Sequence, residues 1–395
     1  SNLVPNCLFK IAEILYFQGN YAVALKKLNN LIGEYPKESF VFKAVYLMGE
    51  CHYKMGNYSL ARLEYKKIID AYPPLPLAAD AQYATAWSYY EEKKLDKAAE
   101  AFRLVAENYP KSKLVPAALY HLGMIQYTSL SPSIAIKTLE KVVNTFPESD
   151  IADDAMYELG MINYKDKNYP HALAYFLRLT MQFPLSNLVH QARIMIGECY
   201  LATEKYENAY TTFNKLLNDF TTFEGRADAL YQFGWSAFKI KKYQKAIIAY
   251  QEFIEKYPQH KMIANAYYWL AESYYSLQDY SAAQKNYSII VKQYPHCEKI
   301  VETYYGLAWC YYKTNDFENA QKFFKCFLHK GSNKKMLEDA QYRLGDCLFN
   351  LRLFDQALWA YKTLREQYPQ SQYGDIALYQ MGLSAPTCRQ CLFEA

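Results

Sequence analysis

Every thirty-seventh residue from Ala24 to Ala357 is alanine: Ala24, Ala61, Ala98, Ala135, Ala172, Ala209, Ala246, Ala283, Ala320 and Ala357. The register never slips. A column this strict means one supersecondary unit stacked on itself, with a methyl group wherever two backbones pass too closely for anything larger. Length alone would divide 395 residues into two or three globular domains. A repeat array is exempt, because each unit packs only on its neighbours and the core grows along one axis.

A second small column stands twelve residues before the first: Ala12, Gly49, Ala86, Gly123, Gly160, Gly197, Gly234, Ala271, Ala308 and Gly345. Two helices, A and B, can therefore cross closely in each unit. An aromatic precedes most column alanines by three residues, as Tyr58, Tyr206 and Phe317 do, and a large apolar residue follows by four, such as Tyr65, Phe102 or Tyr250. These spacings place both on one helical face. Helix B then meets a Tyr/Phe-Pro pair, with prolines at 36, 73, 110, 147, 184, 258, 295 and 369. Proline cannot donate the backbone hydrogen bond and pushes its predecessor out of helical geometry, so it stops the helix. Thr221 and Ser332 hold the two remaining places. No strand signature of strict alternation occurs, and the chain is expected to be all helix.

The pattern W/Y-x-x-L-G-x-x-Y … A-x-x-x-F/Y … P resembles the tetratricopeptide (TPR) repeat across residues 3–383. The usual period is about 34 residues. Here the unit is longer in its Y-P-x-S segment, as in Tyr109-Pro110-Lys111-Ser112. That extended form is similar to the unit of bacterial envelope proteins of the BamD and CpoB type. The resemblance implies an all-α, right-handed α-solenoid of about ten TPR helix-turn-helix units. It would form a single solenoid over residues 1–383, with units ending near 36, 73, 110, 147, 184, 221, 258, 295, 332 and 369, one extra helix, and a non-repeat tail at 384–395. In the fourth unit Ser131-Pro132-Ser133 replaces the usual turn; proline at a helix start is harmless. Neither end carries a polar capping repeat, so the chain is expected to be a stretch of a longer array or a chain whose final helices were lost.

Helix A carries another stripe. Three residues before its small column stand Tyr46, Tyr83, Tyr120, Tyr157, Tyr231, Tyr268, Tyr305 and Tyr342; four after it stand Tyr16, Tyr53, Tyr90, Tyr127, Tyr164, Phe238, Tyr275, Tyr312 and Phe349. The columns are seven apart and share a face. The resemblance implies that this face lines a concave groove. One residue after the small column come Glu13, Glu50, Trp87, Glu198, Trp235, Glu272, Trp309 and Asp346, and six before it Asp80, Asp154, Asp228, Glu302 and Asp339. The last set is expected in the first turn of helix A, complementing the macrodipole. Tyrosines that recur in every unit are expected to pack repeat on repeat. Trp87, Trp235 and Trp309 are the expected contact residues, since tryptophan is enriched in interface hot spots. Truncating Trp235 or Trp309 is expected to weaken partner binding with little effect on melting temperature. The candidate binding set is completed by Glu198, Glu272, Asp346, Tyr231, Tyr268, Tyr305, Tyr275 and Tyr312. Such a face suits a basic or extended polypeptide segment through stacking, cation–π contact and charge-assisted hydrogen bonds.

The formal charge of +4 is small for this length and makes no electrostatic case for nucleic acid. No apolar run is long enough to span a membrane. The seven histidines show no metal spacing, and no H-E-x-x-H, P-loop or G-x-S-x-G string occurs. Cys51, Cys199, Cys310 and Cys347 share one repeat column and read as small buried hydrophobes; Cys388 and Cys391 form a lone C-x-x-C without further ligands nearby. No catalytic residue, cofactor or metal is expected. The expected function is a non-catalytic scaffold for partner proteins or peptides. The resemblance puts it in the bacterial periplasm or cell envelope. The alternatives are a cytoplasmic TPR adaptor or co-chaperone, and a non-catalytic arm of a larger enzyme.

Overall fold

The computed structural model describes residues 3–36, 40–71, 76–129 and 131–384. Pro73, Cys388 and Cys391 lie outside the described residues. Among those described, every regular element is an α-helix. The chain is an all-α solenoid of A/B hairpins and divides into two compact units, Ser1–Ala192 and Arg193–Ala395. The first holds the hairpins α1 (Leu3–Phe17) with α2 (Tyr21–Glu34), α3 (Val41–Lys54) with α4 (Tyr58–Ala71), α5 (Pro76–Glu91) with α6 (Leu95–Asn108), α7 (Val115–Ser129) with α8 (Pro132–Thr145) and α9 (Ala152–Lys165) with α10 (Tyr169–Gln182). The division falls inside α11 (Val189–Ala202). In the second unit follow α12 (Tyr206–Asp219), α13 (Arg226–Lys239) with α14 (Tyr243–Lys256), and α15 (Ile263–Ser276) with α16 (Tyr280–Gln293). It ends with α17 (Ile300–Lys313) and α18 (Phe317–Lys330), α19 (Lys334–Asn350) and α20 (Phe354–Gln367), and α21 (Gly374–Ser384). Odd numbers are A helices and even numbers B helices.

The core is the repeated crossing of A on B. All ten column alanines have no exposed surface, and neither do the residues four after them, from Leu28 and Tyr65 to Phe324 and Tyr361. The A helix answers with its small column because there is no room for more. A Cβ built on Gly49 would lie 2.4 Å from the Tyr65 ring, on Gly197 2.3 Å from Phe213, and on Gly345 2.4 Å from Tyr361. Where Ala271 occupies this column, the Tyr287 ring also lies against the next A helix, 2.6 Å from where a Cβ on Gly306 would sit. Cys51, Cys199, Cys310 and Cys347 are buried beside this crossing, and burial pushes the Cys51, Cys199 and Cys347 thiols up to about 12.

Among the described residues, nine A helices hand over to their B helices through a left-handed residue. Gly19, Gly56, Lys93, Lys167, Glu204, Lys241, Gln278, Asn315 and Arg352 all have φ between 56° and 80°. The next residue's N–H then reaches back over the helix end, as Lys242 does to the Ala237 carbonyl at 2.8 Å and Leu353 to Leu348 at 2.9 Å. This satisfies carbonyls that the helix would otherwise leave bare. The Y-P-x-S segment is likewise a capping device: Ser112 and Ser186 accept the N–H of Leu114 and Leu188 at 3.2 and 3.1 Å, and His260 Nδ1 accepts that of Met262 at 3.2 Å. Where Ser332 replaces proline the linker differs. Asn333 caps α19 directly, accepting from the Met336 N–H, and the helix runs 17 residues against 14 in most others.

Consecutive A helices touch one another, α1 with α3 and α3 with α5 in the first unit, α13 with α15 and α15 with α17 in the second. No pair of consecutive B helices approaches as extensively among the described residues. Between α4 and α6 a gap of about 770 Å³ remains, floored by Gln82, Thr85 and Tyr89 of α5. Closer approach on one side makes that side the inner one, so within each unit the A helices line the concave face.

Non-glycine residues in the left-handed region cost about 1–2 kcal/mol, of which glycine's extra unfolded-state entropy returns part. Lys241→Gly is expected to stabilise its hairpin by about 0.5–1 kcal/mol, read as a higher urea midpoint at unchanged slope.

Candidate partner-binding groove

Along the concave face, a residue of one A helix meets the residue 34 positions later on the next. This is the repeat period less about one helical turn. Tyr16 donates to Glu50 at 3.4 Å, Tyr305 to Asp339 at 2.7 Å, Tyr312 to Asp346 at 3.2 Å, and Gln232 Nε2 to Glu198 at 2.9 Å. The tryptophans obey the same rule. His121 meets Trp87 edge-on with centroids 4.7 Å apart, Trp269 lies 4.3 Å from Trp235, and the Arg343 guanidinium sits 4.9 Å from the Trp309 ring. Burial pulls the His121 imidazole down to about 4, so it stands neutral against its indole near neutral pH.

All eleven candidate residues fall on A helices, yet none is freely exposed. Tyr231, Tyr268 and Asp346 are buried, and Trp87, Trp235, Trp309, Glu198, Glu272, Tyr305, Tyr275 and Tyr312 are half-buried. This corrects the expectation that the tryptophans can be truncated without loss of stability. Each is held by its own hairpin and by the residue 34 later, so removing it opens a hole in the inter-repeat contact. The macrodipole reading holds for Asp154, Asp228 and Glu302, which lie in first turns. It fails for Asp80, the fifth residue of α5, and for Asp339, which lies deeper in α19, is buried, and accepts the hydroxyls of Tyr305 and Tyr373 at 2.7 and 2.8 Å.

The acid column is built into the packing. Glu50 accepts the Tyr65 hydroxyl at 2.6 Å, Asp346 that of Tyr361 at 2.8 Å, and Glu272 that of Tyr287. In each case the donor lies fifteen residues on, at the fully buried position of helix B. Where the column carries Trp87 or Trp309, that position is Phe102 or Phe324. The sequence held this signal, acid with tyrosine and tryptophan with phenylalanine, and reading the columns one at a time missed it. Three units break the pairing. Glu13 faces Leu28. Glu198 faces Phe213 and takes Gln232 instead. Trp235 faces Tyr250, whose buried hydroxyl has no hydrogen-bond partner among the described residues.

That difference separates otherwise identical substitutions. Tyr250→Phe removes an unsatisfied hydroxyl and is expected to leave stability unchanged or raise it by up to about 1 kcal/mol. Tyr287→Phe strips a hydrogen bond from a buried carboxylate and is expected to cost about 1–3 kcal/mol by denaturant titration.

Burial raises the carboxyl of Glu272, with the Tyr287 and Tyr268 hydroxyls opposing the shift, and it also raises Glu198 and Asp346. A folded-state value above the unfolded one favours folding most at low pH, and that advantage is lost as pH rises through the raised value. Glutamine mimics the protonated form. Glu272→Gln is therefore expected to gain melting temperature over the unsubstituted chain progressively as pH rises above the ordinary glutamate value of about 4. A pH-independent difference would show that Glu272 does not titrate this way.

Among the described residues no group of His, Cys, Asp or Glu is placed to hold a metal ion, and no helix is long and apolar enough to cross a membrane. Stacked hairpins with an aromatic inner face define a helical-repeat solenoid, a class built to present extended binding surfaces. Residues 9–113, 191–221, 228–260, 262–328 and 339–371 match tetratricopeptide repeat families. The chain belongs to the tetratricopeptide repeat family, whose members are protein-interaction scaffolds. Residues 114–205 match the outer membrane lipoprotein family YfiO. No curated protein sequence matches the chain. Among solved structures, the C-terminal part of a TPR repeat-containing protein from Cytophaga hutchinsonii is 18% identical. The match covers 65% of this chain and 98% of that one with a TM-score of 0.51. A tetratricopeptide repeat protein from Parabacteroides merdae is 15% identical over 67% of this chain and 98% of its own, with a TM-score of 0.42.

Proposed function

We propose that this chain is a non-catalytic scaffold that holds partner polypeptides along the concave, A-helix face of its repeats, within a bacterial cell-envelope complex. The observation that carries the groove reading is the pair of adjoining cavities on this face in the first unit. One, of about 340 Å³, is lined by Phe9, Glu13, Tyr16 and Lys43; the other, of about 290 Å³, by Tyr53, Tyr83 and Trp87; Tyr46 and Glu50 line both. Each is at the small end of the range for ligand sites, and together they suit an extended segment that places successive side chains in successive repeats. The match of residues 114–205 to an outer membrane lipoprotein family supports the envelope.

Deleting groove side chains would confound binding with stability, because most of them also join repeats. Photo-crosslinking avoids this. A benzoylphenylalanine placed at Tyr53, Tyr90 or Tyr275 in native cells is expected to capture partner polypeptide. The same probe at Trp359, 64% exposed on α20, is expected to capture none. Equal yields at all four positions would remove the groove from the proposal, and captured partners confined to the cytoplasm would remove the envelope.

A further inference from the structure

The residues lining the 290 Å³ cavity are Tyr46, Glu50, Tyr53, Tyr83, Ala84 and Trp87. Seven repeats further on, the same six places hold Tyr305, Trp309, Tyr312, Tyr342, Arg343 and Asp346. Both sets contain three tyrosines, one tryptophan and one carboxylate, with indole and carboxylate exchanged between neighbouring A helices. Apart from that exchange they differ in kind only at Ala84 against Arg343.

In the second unit that arginine fills the cage. Its guanidinium carbon lies 4.9 Å from the Trp309 ring, 5.0 Å from Tyr342 and 5.4 Å from Tyr312. Its Nη1 donates to Asp346 at 3.1 Å, and its Nε lies 3.6 Å from Asp339. Flat rings over a delocalised cation, with a carboxylate at its edge, suit guanidinium better than ammonium. The counterpart of Asp339 seven repeats earlier is Asp80, which acts electrostatically on Tyr46. Glu50 already accepts the Tyr65 hydroxyl at 2.6 Å, its second oxygen has a long 3.4 Å contact with Tyr16, and Tyr46 also bonds to this carboxylate. Glu91 acts on Tyr53 from the rim. Lys54 lies 5.9 Å from the Tyr53 ring on an exposed side chain, and Lys43 lines the adjoining cavity.

We infer that the cavity between α3 and α5 is an arginine-binding cage for a partner polypeptide, filled in trans by the group that Arg343 supplies in cis to the equivalent cage. The partner side chain enters where Ala84 leaves space, stacks on Trp87 and the tyrosines, and pairs with Glu50 and Asp80. This rests on the groove reading above and adds to it the identity of one recognised side chain.

The test uses the full chain with ¹⁵N-labelled tryptophan, the Trp87 indole N–H being the reporter and that of Trp359 the control. The probe is a capped glycine-serine heptapeptide with one central arginine; its comparison peptide carries citrulline, neutral and of nearly the same shape. The arginine peptide is expected to shift the Trp87 resonance saturably, at least about tenfold more tightly than the citrulline peptide, and to leave Trp359 unmoved. Ala84→Arg should abolish the shift while melting like the unsubstituted chain, because its own guanidinium takes the cage. Should that variant fold poorly, Glu50→Gln serves instead and should weaken the arginine peptide about tenfold without changing the citrulline peptide. Equal affinity for both peptides, or an undiminished shift in the variant, overturns the cage. Cross-links at Tyr53 and Tyr90 combined with a silent Trp87 would leave the groove standing and remove only its arginine selectivity.

Discussion

In each hairpin a large side chain of the second helix lies against a residue of the first that has at most a methyl group. The Tyr65 ring against Gly49 and the Phe213 ring against Gly197 leave no space for a Cβ. This contact sets the A/B distance, and through it everything built on the inner face. Close crossing brings the residue beside the small column over the buried ring's edge. A tyrosine hydroxyl there must then find an acceptor, or stay unsatisfied at a cost of about 1–3 kcal/mol. Glu50, Glu272 and Asp346 are that acceptor. The acidic inner face is thus partly a consequence of tyrosine in the core, and only what remains of each carboxylate's capacity is open to a partner.

The second constraint is the 34-residue step between neighbouring A helices. Because it falls short of the period by about one turn, every inner-face residue is covered by one from a different column of the next unit. Tyr16 on Glu50, His121 on Trp87 and Arg343 on Trp309 are the same contact made with different chemistry. Each unit's groove surface therefore belongs jointly to two repeats. Stability of such an array is distributed as a chain of nearest-neighbour terms, and a change to one groove residue disturbs two hairpins.

The fold was legible because its signals are periodic and local. Alanine every 37 residues, the small column twelve before, and the aromatic-proline stop each name a backbone requirement that no other residue meets as well. The left-handed turn was less legible. Only Gly19 and Gly56 announce it, whereas Lys93, Glu204 and Arg352 adopt the same φ under tertiary constraint. At the candidate site the right residues were found but their commitments were not. Burial, hydrogen bonding and the 34-residue contact relate different columns to one another, so a column read alone shows composition without partners. Asp339 shows the loss: its position six before the small column suggested a helix start, but replacement of the proline linker lengthened α19 and left the carboxylate buried between two tyrosines.

One column governs how open the inner face is, and it is neither the tyrosines nor the acids. Two residues before the small column stand Leu47, Ala84, His121, Gln232, Trp269, Gly306 and Arg343 in successive or nearby units. Each projects onto the groove position of the preceding repeat. Where it is large or can hydrogen-bond, as with His121, Gln232, Trp269 and Arg343, it occupies the space over the indole or carboxylate. Where it is Gly306, the Tyr287 ring of the preceding repeat lies where a Cβ would sit. With Ala84 the side chain here is small, and there the structure leaves a cavity walled by Tyr46, Tyr53, Tyr83 and Trp87. A repeat array can in this way keep one backbone and one core in every unit while varying a single position to decide which repeats fold shut and which can receive a partner.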